Sequence, residues 1–442
     1  MSSAWSEYST MFDSPTFDTT RTVPRVRLNG VQRVLFALLC LYMLLAFRGL
    51  FQEVFGSQYD LVHQSVLLTA YAFVALAIGS ISRVINDLRQ NFMLCVILAY
   101  AALSLLWSGN KYATAVALVA LAGTTLVGMF MASRYGTRLV RIIFVAVAVY
   151  IAFTLPWYIA GVEIATFTAD GSRSFRGFAD HKNLLGNMNG LALIIGYVLM
   201  RSSRIDARRA IPVLMLLATT LVVSRSSNSV LAAAMTIIMY EASVFLFRLK
   251  ASRVAYLFGM GLFVMIMGGI AFAISKDILA LLGENETFSS RTVIWRLVMI
   301  HVDRKPLLGE GYGAFWSETS PYIITFAKMF YGSTLRQAHN GVIEIAAQVG
   351  FVGVALFFGF VLYTLYLGYT LARAEPEYRP LWFGIWFILF NSMGEAFLFS
   401  GNYLFFAFLV ASSSIFGRAR SSRLAQDAAK AATAGGPAEP WG

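Results

Sequence analysis

The chain carries little charge. Only 13% of its 442 residues are Asp, Glu, Lys or Arg, against 58% hydrophobic and 14% aromatic residues. A surface so poor in charge cannot solvate two or three water-soluble domains, so the composition excludes an ordinary soluble enzyme and points to the membrane class. Cysteine is nearly missing: Cys40 and Cys95 both fall in apolar runs with no ligand spacing between them, which excludes a disulfide framework and a thiolate zinc site. Histidine occurs only four times, and no strong metal-ligand spacing is present, so no metal or other cofactor is expected. No segment matches a P-loop or dinucleotide fingerprint. Acidic residues are the scarcer sign, 23 against 35 basic, for a net charge of +12. The excess forms no basic patch interleaved with aromatics, so nucleic acid is not an expected partner.

What the chain has in abundance is apolar runs of the length that crosses a bilayer, about 20 residues each. They fall near 31–50, 61–82, 91–107, 112–132, 139–160, 186–200, 210–223, 228–247, 254–275, 340–371, 380–399 and 401–417. The expectation is an all-α polytopic membrane protein of about 12 transmembrane helices, with one large outer loop, 276–339, carrying short surface helices. Residues 1–30 are polar, without the apolar centre of a cleavable signal peptide. They read as a disordered cytoplasmic tail, 31–417 as a single transmembrane domain, and the Ala/Gly/Pro-rich 418–442 as a second disordered cytoplasmic tail.

Arginine sets the orientation, because positively charged loops stay cytoplasmic. With the N-terminus inside, the inner segments hold Arg83 and Arg89, then Arg134, Arg138 and Arg141, then Arg201, Arg204, Arg208 and Arg209, then Arg373 and Arg379, then Arg418, Arg420 and Arg423. The short outer loops hold Lys111 and Arg225 alone. Two outer segments break the rule, 161–185 and 276–339. Long loops translocate despite their charge, and a loop of that length is more often functional than spacer.

In the first of these, Arg176, Asp180, His181, Lys182 and Asn183 lead into a run that continues with Gly186, Asn187, Asn189 and Gly190. Polar residues in the first turns of a span suggest a helix facing a cavity, or else a polar cap at the interface. In the turn Ser224–Asn228, Arg225 is the only cation. Hydroxyls beside it and the free N–H groups of the next helix make an anion site, although an arginine there can also snorkel to the interface. In the long loop, Ser289 to His301 reads as a surface helix with Val293, Trp295, Leu297, Val298 and Ile300 on its apolar side and Arg291 in its first turn. Gly309, Gly311 and Gly313 then permit a tight turn. The loop closes on His339–Asn340–Gly341, and His339 is the candidate general base. Two charges on a diphosphate about 4 Å from an arginine would each gain on the order of 4 kcal/mol at an effective dielectric near 20, so two arginines could hold it without a metal. Of the acids inside apolar runs, Glu241 stands near a cytoplasmic end. Glu344 is about 140° around the helix from His339, and Glu395 with Asn391 reads as glue between helices.

At Ser104–Ser108, Phe175–Gly177, His181–Asn183, Ser224–Ser226, Arg291–Trp295, Pro306–Gly311 and His339–Gly341 the sequence resembles the O-antigen ligase and polymerase superfamily, and most of all its exopolysaccharide repeat-unit polymerases. The resemblance implies a metal-independent, inverting glycosyltransferase of GT-C-like architecture in the bacterial inner membrane. It would act on the periplasmic face on a glycan carried by undecaprenyl diphosphate. By that resemblance His339 is the base, Arg225 and Arg291 bind the donor diphosphate, and Arg176, His181, Lys182 and Asn340 contact substrate. Implied partners are the lipid-linked oligosaccharide, membrane lipids, and a flippase and chain-length regulator of an export system.

Three other readings compete. A ligase moving finished O-antigen to lipid A-core would use the same donor and residues. A transporter of lipid-linked sugar would be favoured by inverted repeats, which the sequence does not contain. A scaffold for an envelope complex leaves little trace in a membrane sequence.

Overall fold

The computed structural model describes residues 48–434 apart from 57–58, 79–80, 170–171, 249–258, 260, 262–287, 318–319, 323–336 and 402. The N-terminal tail, most of the run 31–50 and nearly all of the run 254–275 lie outside the described residues.

The described chain is mostly helical. α1 (Arg48–Phe55) and α2 (Tyr59–Ile78) precede a bent pair, α3 (Ile81–Gln90) and α4 (Phe92–Leu103). Then come α5 (Lys111–Tyr135), α6 (Leu139–Ile159), a hairpin of β1 (Thr166–Ala169) and β2 (Ser172–Phe175), α7 (Lys182–Arg201), α8 (Ala207–Val223) and α9 (Ser227–Arg248). After the gap follow α10 (Phe288–Val302), α11 (Gly341–Ala374), α12 (Arg379–Asn391) and α13 (Leu404–Ala434). Lys111–Ile159, which a turn at 136–138 divides into α5 and α6, and Lys182–Arg201, Ser227–Leu246 and Gly341–Ala374 are each long and apolar enough to cross a membrane. The pair around Asn91, bent by 105°, is either a broken fifth span or a re-entrant loop. The protein is thus a polytopic helical membrane protein.

α7 forms the centre and packs against α6, α8, α9 and α12. Its apolar residues are buried around the whole circumference, the pattern of a helix enclosed by others. The polar residues that suggested a cavity each engage a neighbouring helix through one end of the amide, while Asn187 Nδ2, Asn189 Oδ1 and Asn391 Oδ1 have no hydrogen-bond partner among the described residues. Asn189 donates from Nδ2 to Thr220 Oγ1 at 2.9 Å, and Asn187 Oδ1 accepts from Ser229 Oγ at 2.9 Å. Asn391 Nδ2 donates to Ser229 Oγ at 3.1 Å, extending the column to α12. Each such bond removes a desolvation cost that an unpaired amide would carry in hydrocarbon.

Three sequence expectations are corrected. The all-α expectation fails in the outer segment 161–185, where β1 and β2 pair antiparallel with Thr166 opposite Phe175, favoured by the alternating Thr/Phe and Ser/Phe pattern. The last helix does not dissolve at 418 but continues to Ala434, because Leu424 to Ala434 is dominated by strong helix formers and Gly and Pro appear only from Gly435 on. The run 380–399 is helical only to Asn391, where the chain leaves α12 through the turn Ser392–Met393–Gly394.

The expected surface helix exists as α10, with a different inner face. Ile294, Val298 and Val302, spaced i, i+4, i+8, are buried against Phe315, Ala338, Ala346 and Ala347, whereas Val293 and Ile300 are about half exposed.

Candidate functional site

α7, α9 and α11 start, and α8 and α12 finish, at one end of the bundle. The opposite end collects the arginines, where Arg201 pairs with Glu241 at 2.8 Å, Arg418 with Asp87, and Arg423 with Glu375. The charge asymmetry in the sequence therefore corresponds to two physical ends of one bundle.

Placement of the outer loop begins with a break in α11. Gly350 has φ +69°, outside the helical region, and a Cβ there would lie 2.2 Å from the Leu307 carbonyl oxygen. The segment 306–311 fills the break: Phe351 N–H donates to Pro306 O at 2.7 Å, Glu310 N–H to Ala347 O at 3.1 Å, and Gly311 N–H to Gln348 O at 2.8 Å. From the other side, Tyr100 and Trp107 donate to the carbonyls of Leu307 and Leu308, Gly109 N–H donates to Glu310 O, and Tyr312 N–H donates to Ser104 Oγ. The motifs Ser104–Ser108 and Pro306–Gly313 are thus two halves of one stitch. The glycine run serves this turn, with φ values of +66°, +108° and +74° at Gly309, Gly311 and Gly313.

The motifs Arg291–Trp295 and His339–Gly341, with Asn183 of a third, meet at a segment not singled out from the sequence, the turn after α12. Gly341 N–H donates to Ser392 O at 2.8 Å, and Asn340 Nδ2 donates to Met393 O at 3.3 Å. Arg291 donates through Nη1 to Gly394 O at 3.1 Å, and Asn228 through Nδ2 to Asn391 O at 2.6 Å. A Cβ on Gly394 would lie 2.4 Å from Asn228 Oδ1 and 2.8 Å from Arg291 Nη1, so only glycine admits both side chains. Glu395 follows, 1% exposed. Its Oε1 accepts from Asn183 Nδ2 at 2.8 Å and lies 3.9 Å from Arg291 Nη2, and its Oε2 lies 3.7 Å from His339 Nδ1.

His339 and Arg291 therefore flank one buried carboxylate. The imidazole is held at the entry to α11, where Asn340 caps the helix by accepting from Val342 and Ile343 N–H. Glu344, half a turn away, does not touch the ring. Its carboxylate accepts from Ala338 N–H at 2.8 Å, Trp316 Nε1 at 2.7 Å and Gln348 Nε2 at 2.7 Å, fixing the backbone that presents His339. Among the described residues only Ser203, Arg225 and His339 are non-glycine residues with positive φ. Such backbone strain in a non-glycine residue concentrates where a side chain must be aimed.

Arg225 is half-buried at φ +50° in the turn between α8 and α9, three residues before Asn228. It stands at the same end of the bundle, and no side chain among the described residues pairs with its guanidinium. The other expected residues are held by their own surroundings. Arg176 directs its guanidinium to the carbonyls of Ile164, Asp180 and Glu163, locking the hairpin to α7. His181 caps α7 by accepting from Asn183 N–H at 3.1 Å and packs edge-on against Phe167. Lys182 opens α7 beside it, half-buried. His301 lies among Phe315 and Tyr322, where burial and then Arg304 hold its imidazole below the usual range.

A cavity of about 900 Å³ adjoins this cluster. Tyr112, Trp316, Phe397 and Tyr403 give it flat apolar walls, and Gln64, Asn110, Gln337 and Gln348 give it amides. Gln337 Nε2 is 3.4 Å from His339 Nδ1, so the cavity wall reaches the imidazole. Neither lysine nor arginine is among its described lining residues. Among the described residues no group of three His, Cys, Asp or Glu side chains could hold a metal ion.

Glu395, Asn183 and Asn228 were not expected to act together. Glu395 did stand out as an acid inside an apolar run. The helix face it was expected to share with Asn391 does not form, because α12 ends at Asn391 and Glu395 sits in the turn beyond, but each residue still bonds a neighbouring helix, Asn391 to Ser229 and Glu395 to Asn183. A Gly–Glu pair near the end of a run too short to continue was the available signal.

No curated protein matches the chain. A family model described as O-antigen ligase matches residues 212–358, the stretch from α8 through Arg225, Arg291 and His339 into α11. The match covers a third of the chain and supports the O-antigen ligase and polymerase superfamily.

Proposed function

We propose that the chain is a polysaccharide polymerase, transferring a glycan from undecaprenyl diphosphate to a sugar hydroxyl of a lipid-linked repeat unit. The observation that carries the reading is the meeting of His339, Arg291 and Glu395 beside a cavity walled by aromatic rings and amides, with Glu344 as its one described charged lining residue. By the positive-inside rule the arginine-rich end is cytoplasmic and the site opens to the periplasm.

The cavity suits the acceptor glycan. Aromatic rings offer apolar faces to the C–H faces of pyranoses, and amides both donate to and accept from hydroxyls. His339 takes the hydroxyl proton as the oxygen attacks the anomeric carbon from the side opposite the diphosphate, inverting it. The Glu395 carboxylate stabilises the imidazolium so formed. Arg291, joined by Arg225, stabilises charge growing on the departing diphosphate. Glu395 couples the two events. Before proton transfer it offsets part of the Arg291 charge. Once His339 is protonated the carboxylate is shared with the imidazolium, and more of the Arg291 field acts on the leaving group. His181, Lys182 and Asn340 border the cluster and contact the glycan or donor, whereas Arg176 supports the hairpin beneath them.

Complementation of a gene deletion with wild type or His339→Ala at matched membrane levels, with secreted polysaccharide and lipopolysaccharide resolved by size, tests the reading. Loss of long secreted polymer with lipopolysaccharide unchanged, in deletion and variant alike, is expected. Loss of O-antigen from lipid A-core instead would make the protein a ligase, and full activity of the variant would remove His339 from the mechanism.

A further inference from the structure

We propose a second site, at the arginine-rich end of the bundle, that binds one acidic glycerophospholipid. It is a cavity of about 810 Å³ between the turn 136–138 and α13. That volume falls within the roughly 300–1,000 Å³ of small-molecule sites and far exceeds the needs of one inorganic phosphate.

The charge of the lining has one sign. Arg134, Arg138, Arg141 and Arg418 contribute to the wall, and neither Asp nor Glu is among its described residues. The nearby acids are committed elsewhere: Asp87 accepts from Arg418 Nε at 2.9 Å, and Glu375 pairs with Arg423. Arg418 is therefore neutralised, while Arg134, Arg138 and Arg141 are not. Arg141 makes one bond, to the Arg204 carbonyl at 2.8 Å, and the buried Arg134 Nε has no hydrogen-bond partner. Three cations around a cavity, one with a buried unused donor, are built to receive phosphate oxygens.

The opposite wall is apolar, and this separates a lipid from a free anion. Ile142 and Val145 line the cavity and are 43% and 52% exposed. Further along α6 the exposed Val149 and Phe153 continue the same side, away from the arginines. At 1.5 Å per residue, Ile142 to Phe153 extends about 16 Å along the helix, a track for an acyl chain beginning at the phosphate. A phosphodiester headgroup among the arginines with one chain on this track satisfies both walls at once.

Full-length protein in an uncharged detergent is titrated with short-chain phosphatidylglycerol, phosphatidylcholine or inorganic phosphate, and binding is read from the thermal unfolding midpoint. Phosphatidylglycerol is expected to bind, and the triple change R134Q/R138Q/R141Q to weaken it on the order of 100-fold. The triple R204Q/R208Q/R209Q removes as much charge from exposed positions of the same end and is expected to change affinity by less than about 3-fold. Should the first triple not fold, R138Q alone, at an exposed position, is expected to weaken binding about 5-fold. Equal losses in both triples would reduce the effect to general surface charge. Equal binding of phosphatidylcholine would leave apolar contact alone, and phosphate binding as tightly as the lipid would remove the acyl track. Each of these overturns the site.

Discussion

The two ends of the bundle treat charge in opposite ways. At the arginine-rich end, Asp87, Glu241 and Glu375 each pair with one arginine, as Glu241 does with Arg201 through bonds of 2.8 and 2.9 Å, both side chains being about 40% exposed. At the other end a single buried carboxylate is shared among Asn183, Arg291 and His339, at distances that leave both the arginine and the imidazole incompletely engaged. Pairing in water settles charge cheaply and adds little stability. A buried carboxylate held short of full pairing costs stability, and that arrangement persists where it aims groups at a substrate.

That contrast breaks most sharply at His339. His339→Ala should reduce polymer formation by about 10² to 10⁴, the usual contribution of a general base, with thermal unfolding nearly unchanged because the ring is partly exposed. Arg291→Ala should cost about 10²-fold through lost stabilisation of the leaving group. Arg291→Lys should recover little, since an ammonium cannot bond the Gly394 carbonyl and face a diphosphate as a guanidinium can. Glu395→Gln should lower turnover roughly 10- to 100-fold, less than the base itself contributes, and more in turnover than in donor affinity. Gly350→Ala should act on stability, by roughly 1–3 kcal/mol or more, because a left-handed backbone and the Leu307 carbonyl both oppose a Cβ. A fall in membrane yield would report it. Arg201→Ala should cost less than about 1 kcal/mol in unfolding and leave polymer formation unchanged.

How much of this was legible depended on sequence distance. Apolar length and arginine alternation carry the helices and the two ends, because a bilayer imposes the same requirements on every span. Asn340, Asp206 and Asn110 are local helix-start signals of a kind a sequence carries, and each accepts a backbone N–H of the helix it precedes. The candidates His339, Arg225 and Arg291 could be named one by one, since each sits at a polar entry to a helix. What could not be read was their company. Asn183 reaches Glu395 across 212 positions and Arg291 reaches Gly394 across 103, and neither pair leaves a periodic trace. Arg176 looked like a substrate contact because its motif is polar and external, yet three carbonyls of its own loop occupy it. The break of α11 at Gly350 was hidden because Val349–Gly350–Phe351 is as apolar as the helix around it.

If the Glu395 turn joins a base to a leaving-group site, purified protein supplied with a lipid-diphosphate oligosaccharide should release polyprenyl diphosphate. Steady release and chain growth are expected of wild type, with both lost in His339→Ala and Arg291→Ala while each variant still folds and Arg201→Ala behaves as wild type. Release by His339→Ala at the wild-type rate would contradict that role of the turn.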